Sequence, residues 1–257
     1  MELGLDGQVA VVTGASKGIG LAIVQALVDE GVHVVAGARH PSDDLAKLSG
    51  SVDVVLGDLA APDGPAALVA AAGDRVDILV NNVGAAHVQL DGFLNITDDQ
   101  WLDAVNVNLM SAVRATRAAL PLMLGAGKGS IVTVSSVNAF LPDPQVMVYS
   151  AAKAALSNFC KSLANEVGPK GIRVNTVSPG PVATDLWLGE GGVAATVAKT
   201  TGLAADDVVK GAAGDGVTGR FTQPKEVADL VLLLASSRSG NVTGANITID
   251  GGLIRTL

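Results

Sequence analysis

The sequence is poor in sulfur, in aromatic rings and in metal-binding side chains. Its 257 residues include one cysteine, Cys160, three histidines and a single tyrosine, Tyr149, and aromatic residues make up only 3%. One cysteine cannot form a disulfide within the chain, and so few thiol and imidazole groups do not form the ligand clusters of zinc sites. We therefore expect no metal centre and no disulfide framework.

Long apolar runs and an excess of positive charge are also lacking. The mean hydropathy is +0.44, but the longest apolar stretches, at 118–127 and 230–235, are shorter than the ~20 residues that a membrane-spanning helix needs. Residues 1–6 are acidic and lack the basic start and apolar core of a signal peptide. The formal net charge is -8, which disfavours nucleic-acid binding. We expect a cytoplasmic protein with neither a membrane nor a nucleic-acid partner.

Short runs rich in β-branched residues alternate with segments of helical spacing along most of the chain. The predicted strands are 8–12, 32–36, 52–56, 76–80, 130–134, 172–177 and 245–249. The predicted helices are 20–30, 42–48, 64–72, 101–124, 148–167 and 225–235. This alternation is typical of βαβ units, in which helices cover both faces of a mainly parallel sheet. We predict one doubly wound α/β domain over residues 1–257, with seven parallel strands that are continuously apolar.

The segment 185–223 interrupts this pattern. It is rich in glycine and alanine and carries mixed charges, with short helices predicted at 193–200 and 206–211. Because it is too long for an ordinary loop, we interpret it as a substrate-binding lid. A disordered surface excursion is the alternative. Trp187 and Phe221, near its two ends, favour the lid.

A glycine-rich turn, Thr-Gly-Ala-Ser-Lys-Gly-Ile-Gly at 13–20, lies between the first strand and the first helix. Gly14 permits a tight turn, while Gly18 and Gly20 allow backbone and helix to approach a phosphate closely. The helix N-terminus offers free N–H groups to a pyrophosphate. A purely structural turn is the alternative, but the position after the first strand favours dinucleotide binding.

The end of the second strand predicts which dinucleotide is bound. An acidic residue there accepts a hydrogen bond from a free ribose 2′-hydroxyl and repels a 2′-phosphate. The sequence has Ala-Gly-Ala-Arg at 36–39 instead, and Lys17 adds a second cation nearby. Two cations without a carboxylate favour NADP(H), with NAD(H) as the second choice. The alternative interpretation is two solvated surface charges.

Tyr149 and Lys153 form a Tyr-x-x-x-Lys pair early in a predicted helix, so both side chains lie on one helix face. A phenol with a pKa near 10 is a poor proton donor and acceptor at neutral pH, whereas a nearby ammonium lowers that pKa. Ser136 ends the fifth strand, where its hydroxyl can hold a substrate carbonyl together with the phenol. This constellation predicts acid–base chemistry at a carbonyl or alcohol.

With these motifs the sequence resembles the short-chain dehydrogenase/reductase family over essentially its whole length. The further matches are Asp58-Leu59 after the third strand, Asn-Asn-Val-Gly at 81–84, Asn-Val-Asn at 106–108, the Pro-Gly segment at 177–184 and Asp-Gly-Gly at 250–252. Val83 departs from the family pattern, which has alanine there. The larger valine side chain either crowds the adenine side of the cofactor or is accommodated by a change in the local packing. The resemblance implies a single-domain Rossmann-type fold.

The resemblance also implies residue roles. Tyr149 is the general acid–base, Lys153 lowers its pKa and binds the nicotinamide ribose, Ser136 orients the substrate oxygen, and Asn108 helps hold a water that relays protons to Lys153. Ser135 and Asn106 lie beside these positions but out of the family register. The implied cofactor site also includes Gly14, Ser16, Lys17, Gly18, Ile19, Gly20, Arg39, Asp58, Leu59, Asn82, Gly84, Pro179, Gly180, Val182 and Thr184.

The resulting hypothesis is reversible hydride transfer between NADP(H) and a small carbonyl compound or secondary alcohol. Two alternatives stay open. One is a reductase of carrier-bound 3-ketoacyl groups, for which Lys170 and Arg173 would form a basic docking rim. The other is a catalytically silent, cofactor-bound sensor or scaffold. By family analogy we expect a homotetramer or homodimer paired through the helices at 101–124 and 148–167.

Overall fold

The computed structural model describes residues 2–48 and 50–256 and contains one seven-stranded parallel sheet. The strands are β1 (Val9–Thr13), β2 (His33–Ala38), β3 (Val52–Leu56), β4 (Ile78–Asn81), β5 (Gly129–Val134), β6 (Ile172–Pro179) and β7 (Asn246–Ile249). Their spatial order is β3-β2-β1-β4-β5-β6-β7, and every neighbouring pair is parallel. This confirms the predicted doubly wound α/β fold.

Helices cover both faces of the sheet. They are α1 (Gly18–Asp29), α2 (Asp43–Ala46), α3 (Gly64–Ala70), α4 (Asp98–Val105), α5 (Ser111–Ala126), α6 (Met147–Val167), α7 (Asp185–Leu188), α8 (Val193–Thr201), α9 (Ala205–Gly214) and α10 (Pro224–Ala235). Successive strand residues point to opposite faces: Ala10 and Val12 pack with α1 and α10, whereas Val11 packs with α3, α5 and α6. None of the helices within residues 2–48 and 50–256 is long and apolar enough to cross a membrane.

The expectation that all seven strands are apolar and buried is wrong for the two edge strands. Val54 and Leu56 of β3, which pairs only with β2, are 42% and 54% exposed. Asn246 and Thr248 of β7, which pairs only with β6, are exposed at the other edge. The inner strands β1 and β4 are almost wholly buried. An apolar sequence therefore does not distinguish a central strand from an edge strand.

The single helix predicted over 101–124 is interrupted in the structure. It begins earlier, at Asp98, where Thr97 and Gln100 form a reciprocal capping box, and a π-helical turn at Asn106–Met110 separates α4 from α5. The Asn108 side chain donates one hydrogen bond to Ala104 O within this helix and one to Ala85 O outside it, both at 3.0 Å. A tertiary contact thus accompanies the widened turn, which helical periodicity cannot predict.

The segment 185–223 is built from the three helices α7, α8 and α9. Its ends are tied together by backbone hydrogen bonds, since Ala183 N donates to Thr222 O and Thr222 N donates to Pro181 O, both at 2.9 Å. The insert therefore leaves the sheet after β6 and returns beside its point of departure, above the carboxyl ends of the strands.

Candidate active site

The site begins where β1 and β4 lie side by side. From β1 the chain crosses to β2 and β3 on one side, and from β4 it continues to β5 and β6 on the other. Loops that leave the carboxyl ends of these two strands diverge and open a crevice, which is the usual ligand position in doubly wound sheets.

The glycine-rich turn shapes the floor of the crevice. Gly14 and Gly18 adopt φ angles of 69° and 56°, a region that side chains other than glycine rarely occupy. A Cβ at Gly20 would overlap the carbonyl of Gly14. Helix α1 starts after Lys17, and no side chain caps its N-terminus. Its first N–H groups are thus directed at the crevice, an arrangement that fits a dinucleotide pyrophosphate.

Asn82 fastens the turn from the neighbouring strand. Its amide donates to Thr13 O at 3.2 Å and to Gly14 O at 3.0 Å, and its backbone N–H donates to Thr13 Oγ1 at 2.9 Å. Both amide hydrogens are therefore used inside the protein. Val83, the departure from the family pattern, packs against the core on the α3, α5 and α6 side. Its side chain also borders Gly14 of the glycine-rich turn.

The adenosine end of the crevice is basic. Ala15 N donates to Gly37 O at 2.9 Å, which brings the end of β2 against the turn and leaves Arg39 exposed beside it. Ser42 Oγ donates to Ser16 O at 2.9 Å and folds the following loop over the turn. Lys17 lies there too, but its ammonium is paired with Asp185 Oδ2 at 3.3 Å. The sequence did not predict that partner.

The loop after β3 forms another wall of the adenosine end. Asp58 Oδ1 accepts a hydrogen bond from Ala60 N at 2.9 Å, and Leu59 is buried. Asn106 Nδ2 and Arg114 each donate to Ala60 O, at 3.0 and 2.9 Å. Asn106 is thus a structural anchor of this loop, as its position outside the family register suggested.

Tyr149 and Lys153 project from the start of α6. The Lys153 ammonium lies 5.7 Å from the centre of the Tyr149 ring and donates to Val134 O at 3.0 Å. Burial lowers the pKa of Lys153 from its ordinary value to about 8. Burial also raises the pKa of Tyr149 above 10, and the Ser136 hydroxyl acts in the opposite direction. The sequence predicts that the ammonium lowers the pKa of the phenol; in this structure burial has the largest effect on that pKa and raises it.

The two serines at the end of β5 face different surroundings. Ser135 Oγ lies 2.8 Å from Ser157 Oγ and 3.4 Å from Lys153 O, so its hydroxyl is used against α6. Ser136 Oγ is on the Tyr149 side. It accepts from Asn138 N at 3.1 Å and donates to Asn138 Oδ1 at 3.2 Å.

Asn108 is fixed on the other side of Lys153. Its Oδ1 accepts from Ala85 N at 3.1 Å, so Asn108 and Ala85 exchange a reciprocal pair of hydrogen bonds. Gly84 leaves room for both functional groups, because a Cβ there would lie 3.0 Å from Asn108 Oδ1 and 3.1 Å from Lys153 Nζ. The π-helical turn therefore places a buried amide next to the buried ammonium.

A cavity of about 530 Å³ opens over Tyr149. The predicted site residues that line it are Ile19, Ser136, Tyr149, Pro179, Gly180, Val182 and Thr184. The loop between β5 and α6 adds Val137, Asn138, Gln145 and Val146, which flank the predicted serine and tyrosine in the sequence. Further wall residues that sequence reasoning did not single out come from α8 and α9: Val193, Val197, Val208 and Ala212. Their i, i+4 spacing was the one available signal.

Three comparisons with known proteins agree with this geometry. A short-chain dehydrogenase family model described as enoyl-(acyl carrier protein) reductase matches residues 14–254. A 3-oxoacyl-[acyl-carrier-protein] reductase from Salmonella typhimurium is 34% identical over 98% of this chain and 99% of its own. An uncharacterized oxidoreductase of Methylorubrum extorquens is 38% identical over 97% and 98% of the two chains.

Among solved structures, L-sorbose reductase from Gluconobacter frateurii, complexed with NADPH and L-sorbose, superimposes with a TM-score of 0.91. It is 34% identical, and the match covers all of both chains. The motifs, the sheet order, the family model and these full-length relatives agree: the chain belongs to the short-chain dehydrogenase/reductase family.

Proposed function

We propose that the protein transfers hydride reversibly between NADP(H) and a carbonyl compound or the corresponding secondary alcohol. The observation that carries the proposal is that Tyr149 and Ser136 line one cavity beside the glycine-rich turn, with the buried Lys153 ammonium 5.7 Å from the centre of the Tyr149 ring. A carbonyl oxygen between the two groups can receive a proton from the phenol and, when the Ser136 O–H turns from Asn138 Oδ1 to the substrate, a hydrogen bond from Ser136.

In the direction of reduction, Tyr149 gives its phenolic proton to the substrate oxygen, and Ser136 holds that oxygen in place. When bound, the nicotinamide supplies or accepts the hydride. The Lys153 ammonium stabilises the phenolate that remains. Asn108 acts as a positioning residue: its amide is bonded to Ala85 and Ala104, so a water relaying protons to Lys153 would be held by the backbone of the π-helical turn.

The cofactor preference follows from charge. Arg39 at the end of β2 and Lys17 in the turn provide two cations, and residues 36–39 contain no carboxylate. A 2′-phosphate would be attracted there, and NAD(H) would lack that contact. The sorbose reductase was solved with NADPH, and a gluconate 5-dehydrogenase relative from Beutenbergia cavernae, 31% identical with a TM-score of 0.87, was solved with NADP. Both support NADP(H).

The proposal includes a cytoplasmic homotetramer or homodimer of a single domain carrying the lid at 185–223. Phe93, Leu94 and Leu102, beside and on α4, are 60%, 93% and 68% exposed. A patch of exposed apolar side chains often marks a protein–protein interface, and the proximity of these three in the sequence supports association through the α4–α5 helices.

Reduction of carrier-bound 3-ketoacyl groups is the second candidate, because full-length relatives carry that name. The predicted basic rim does not support it. Arg173 donates to Leu234 O at 2.6 Å and to Ala235 O at 3.0 Å, so its guanidinium is used to cap α10. It also lies near the start of β6, about 20 Å from the end that faces the cavity, at ~3.3 Å per residue.

The experiment is a panel of ketones, aldehydes and alcohols assayed at 340 nm with NADPH and NADH, together with a carrier-bound 3-ketoacyl substrate. We expect substrate-dependent turnover that is faster with NADPH. Tight NADPH binding without turnover of any member would favour the silent scaffold. A strong preference for the carrier-bound ketone over its free form would favour the second candidate.

A further inference from the structure

One side of the cavity, formed by the insert at 185–223, is lined by aliphatic side chains. Helix α8 presents Val193 and Val197, and helix α9 presents Val208 and Ala212, each pair one helical turn apart. Trp187 closes another side. The walls thus offer extensive apolar surface, and burying a substrate methylene against such a surface is favourable.

The Trp187 wall is held in place. Its ring meets the ring of Phe221 edge to face, with centroids 5.2 Å apart and planes at 77°. Phe221 itself is buried at 7% exposure. Since the two aromatics come from opposite ends of the insert, their contact fixes the shape of the apolar wall.

Most polar groups of the lining are occupied by the protein. The hydroxyl of Ser135 is bonded to Ser157, and that of Thr184 lies 3.5 Å from Val182 O. The amide of Asn138 is bonded to Ser136 and, at 3.2 Å, to Leu141 O. A polyhydroxylated substrate needs several free donors and acceptors, because unpaired hydroxyls lose their bonds to water. Outside the catalytic groups, the lining offers chiefly the Gln145 amide and the carboxylates of Asp143 and Asp215.

The charge of the lining is negative. Asp143 and Asp215 border the cavity, and no Lys, Arg or His of the described residues is among its lining. Two nearby cations are already paired: Lys17 with Asp185, and Arg220 with Glu226 at 2.6 Å. A substrate carboxylate would meet like charge at the mouth and no counter-ion inside.

From these observations we infer that the substrate of the proposed reaction is an uncharged ketone with a hydrocarbon substituent, or the corresponding secondary alcohol, rather than a ketose or a keto acid. The inference rests on the proposed function and adds the substrate class. The carbonyl lies against Tyr149 and Ser136, and the hydrocarbon part extends between α8, α9 and Trp187.

The test is a set of ketones assayed with NADPH at 340 nm: the methyl ketones from 2-butanone to 2-octanone, L-sorbose, and 7-oxooctanoate as the charged analogue of 2-octanone. We expect kcat/KM to rise about threefold per added methylene. We expect 2-octanone to exceed both L-sorbose and 7-oxooctanoate by about 100-fold or more. A flat methylene series, or a higher kcat/KM for L-sorbose or 7-oxooctanoate, would overturn the substrate class.

Charge reversal at the mouth provides the matched variants. Asp215→Lys should raise the ratio of kcat/KM for 7-oxooctanoate to that for 2-octanone about tenfold. Asp206→Lys makes the same change of charge on the exposed surface of α9, outside the cavity lining, and should leave the selectivity unchanged. Equal effects of the two variants on selectivity would show that the charge at the mouth of the cavity does not determine which substrate is preferred.

The two proposals fail in different ways. Absence of turnover with every probe, and with the matching alcohols and NADP⁺, would remove the proposed function. Turnover with the opposite selectivity would remove only the substrate class.

Discussion

The ammonium of Lys17 lies 3.3 Å from Asp185 Oδ2, so the glycine-rich turn is joined to the first residue of the insert. The adjacent residue, Thr184, also packs there, since a Cβ at Gly18 would lie 3.2 Å from its methyl group. Both charged side chains are about 70% exposed, at 71% and 68%, and such a pair contributes little to stability. Its significance is positional, because the cation proposed to meet a 2′-phosphate already has a carboxylate beside it.

The first prediction concerns that pair. Asp185→Asn removes a carboxylate that competes for Lys17 and repels phosphate, so we expect NADPH to bind about two- to fivefold more tightly at low salt, the range that an exposed pair supports. NADPH fluorescence titration gives the dissociation constants. NADH serves as the control ligand and should respond little; an equal gain for both cofactors would show that the pair acts on the insert alone.

The second prediction concerns Arg39. Replacing it with aspartate removes a charge-assisted contact to the 2′-phosphate and introduces an acceptor for a free 2′-hydroxyl. We expect kcat/KM with NADPH to fall about 10- to 100-fold and that with NADH to rise. Lys47→Asp makes the same change at a nearby exposed lysine that pairs with Asp44 and should leave the preference intact. A wild-type enzyme that already prefers NADH would refute the assignment of Arg39.

The third prediction separates chemistry from binding. Tyr149→Phe keeps the ring but removes the proton that is transferred, so kcat should fall by about 10²- to 10⁴-fold. The affinity for NADPH should change little, because the glycine-rich turn and Arg39 are untouched. Steady-state rates and fluorescence titration measure the two quantities. Turnover near the wild-type rate would assign the proton transfer to another group.

The sequence predicted the sheet, the glycine-rich turn and the approximate bounds of most helices, because these depend on local patterns. The strand Val9–Thr13 is shifted by one residue from its predicted bounds, 8–12. The helix Met147–Val167 begins one residue before its predicted start, 148, and ends where predicted. The π-helical turn at Asn106–Met110 was missed, since it accompanies hydrogen bonds to Ala85 in a distant loop. Periodicity within one segment carries no information about such a partner.

The candidate site divides in the same way. The spacing of Tyr149 and Lys153 is local, and it placed both on one face of α6. The pairing of Lys17 with Asp185 joins residues 168 positions apart and was not predictable. From the nearby lysine alone, the sequence predicts a lowered pKa for Tyr149. Burial, which depends on the whole fold, raises that pKa instead.

The fourth prediction uses the single tyrosine as a spectroscopic reporter. Since burial raises the pKa of Tyr149, the phenolate absorbance of the native protein at 295 nm should appear at a higher pH than that of the urea-unfolded chain. The urea-unfolded chain should titrate near the ordinary value of about 10. Tyr149→Phe provides the background from the two tryptophans. A native midpoint below that of the unfolded chain would show that the Lys153 charge dominates over desolvation.

The fifth prediction concerns the cost of burying Lys153, which is only 3% exposed. Burial lowers the pKa of this lysine to about 8 from 10.5, so between these pH values the unfolded chain binds more protons than the native protein. The free energy of unfolding of the wild type should therefore rise with pH across that window, relative to Lys153→Met, by up to about 3 kcal/mol. At pH 7 the variant should have the larger free energy of unfolding, with the gain reduced by about 1 kcal/mol because the hydrogen bond to Val134 O is lost. The variant should nevertheless be inactive.

Urea unfolding of both proteins at pH 7 and pH 10 measures this difference, and comparing the two proteins at each pH cancels the titration of the remaining groups they share. Lys161→Met is the matched control, since Lys161 also lies on α6 and donates to a backbone carbonyl, that of Gly244 at 2.8 Å, but is exposed. Its stability should follow the wild-type pH dependence. If Lys153→Met also follows the wild-type pH dependence, burial does not destabilise the ammonium. The buried position of Lys153 then does not lower the free energy of unfolding.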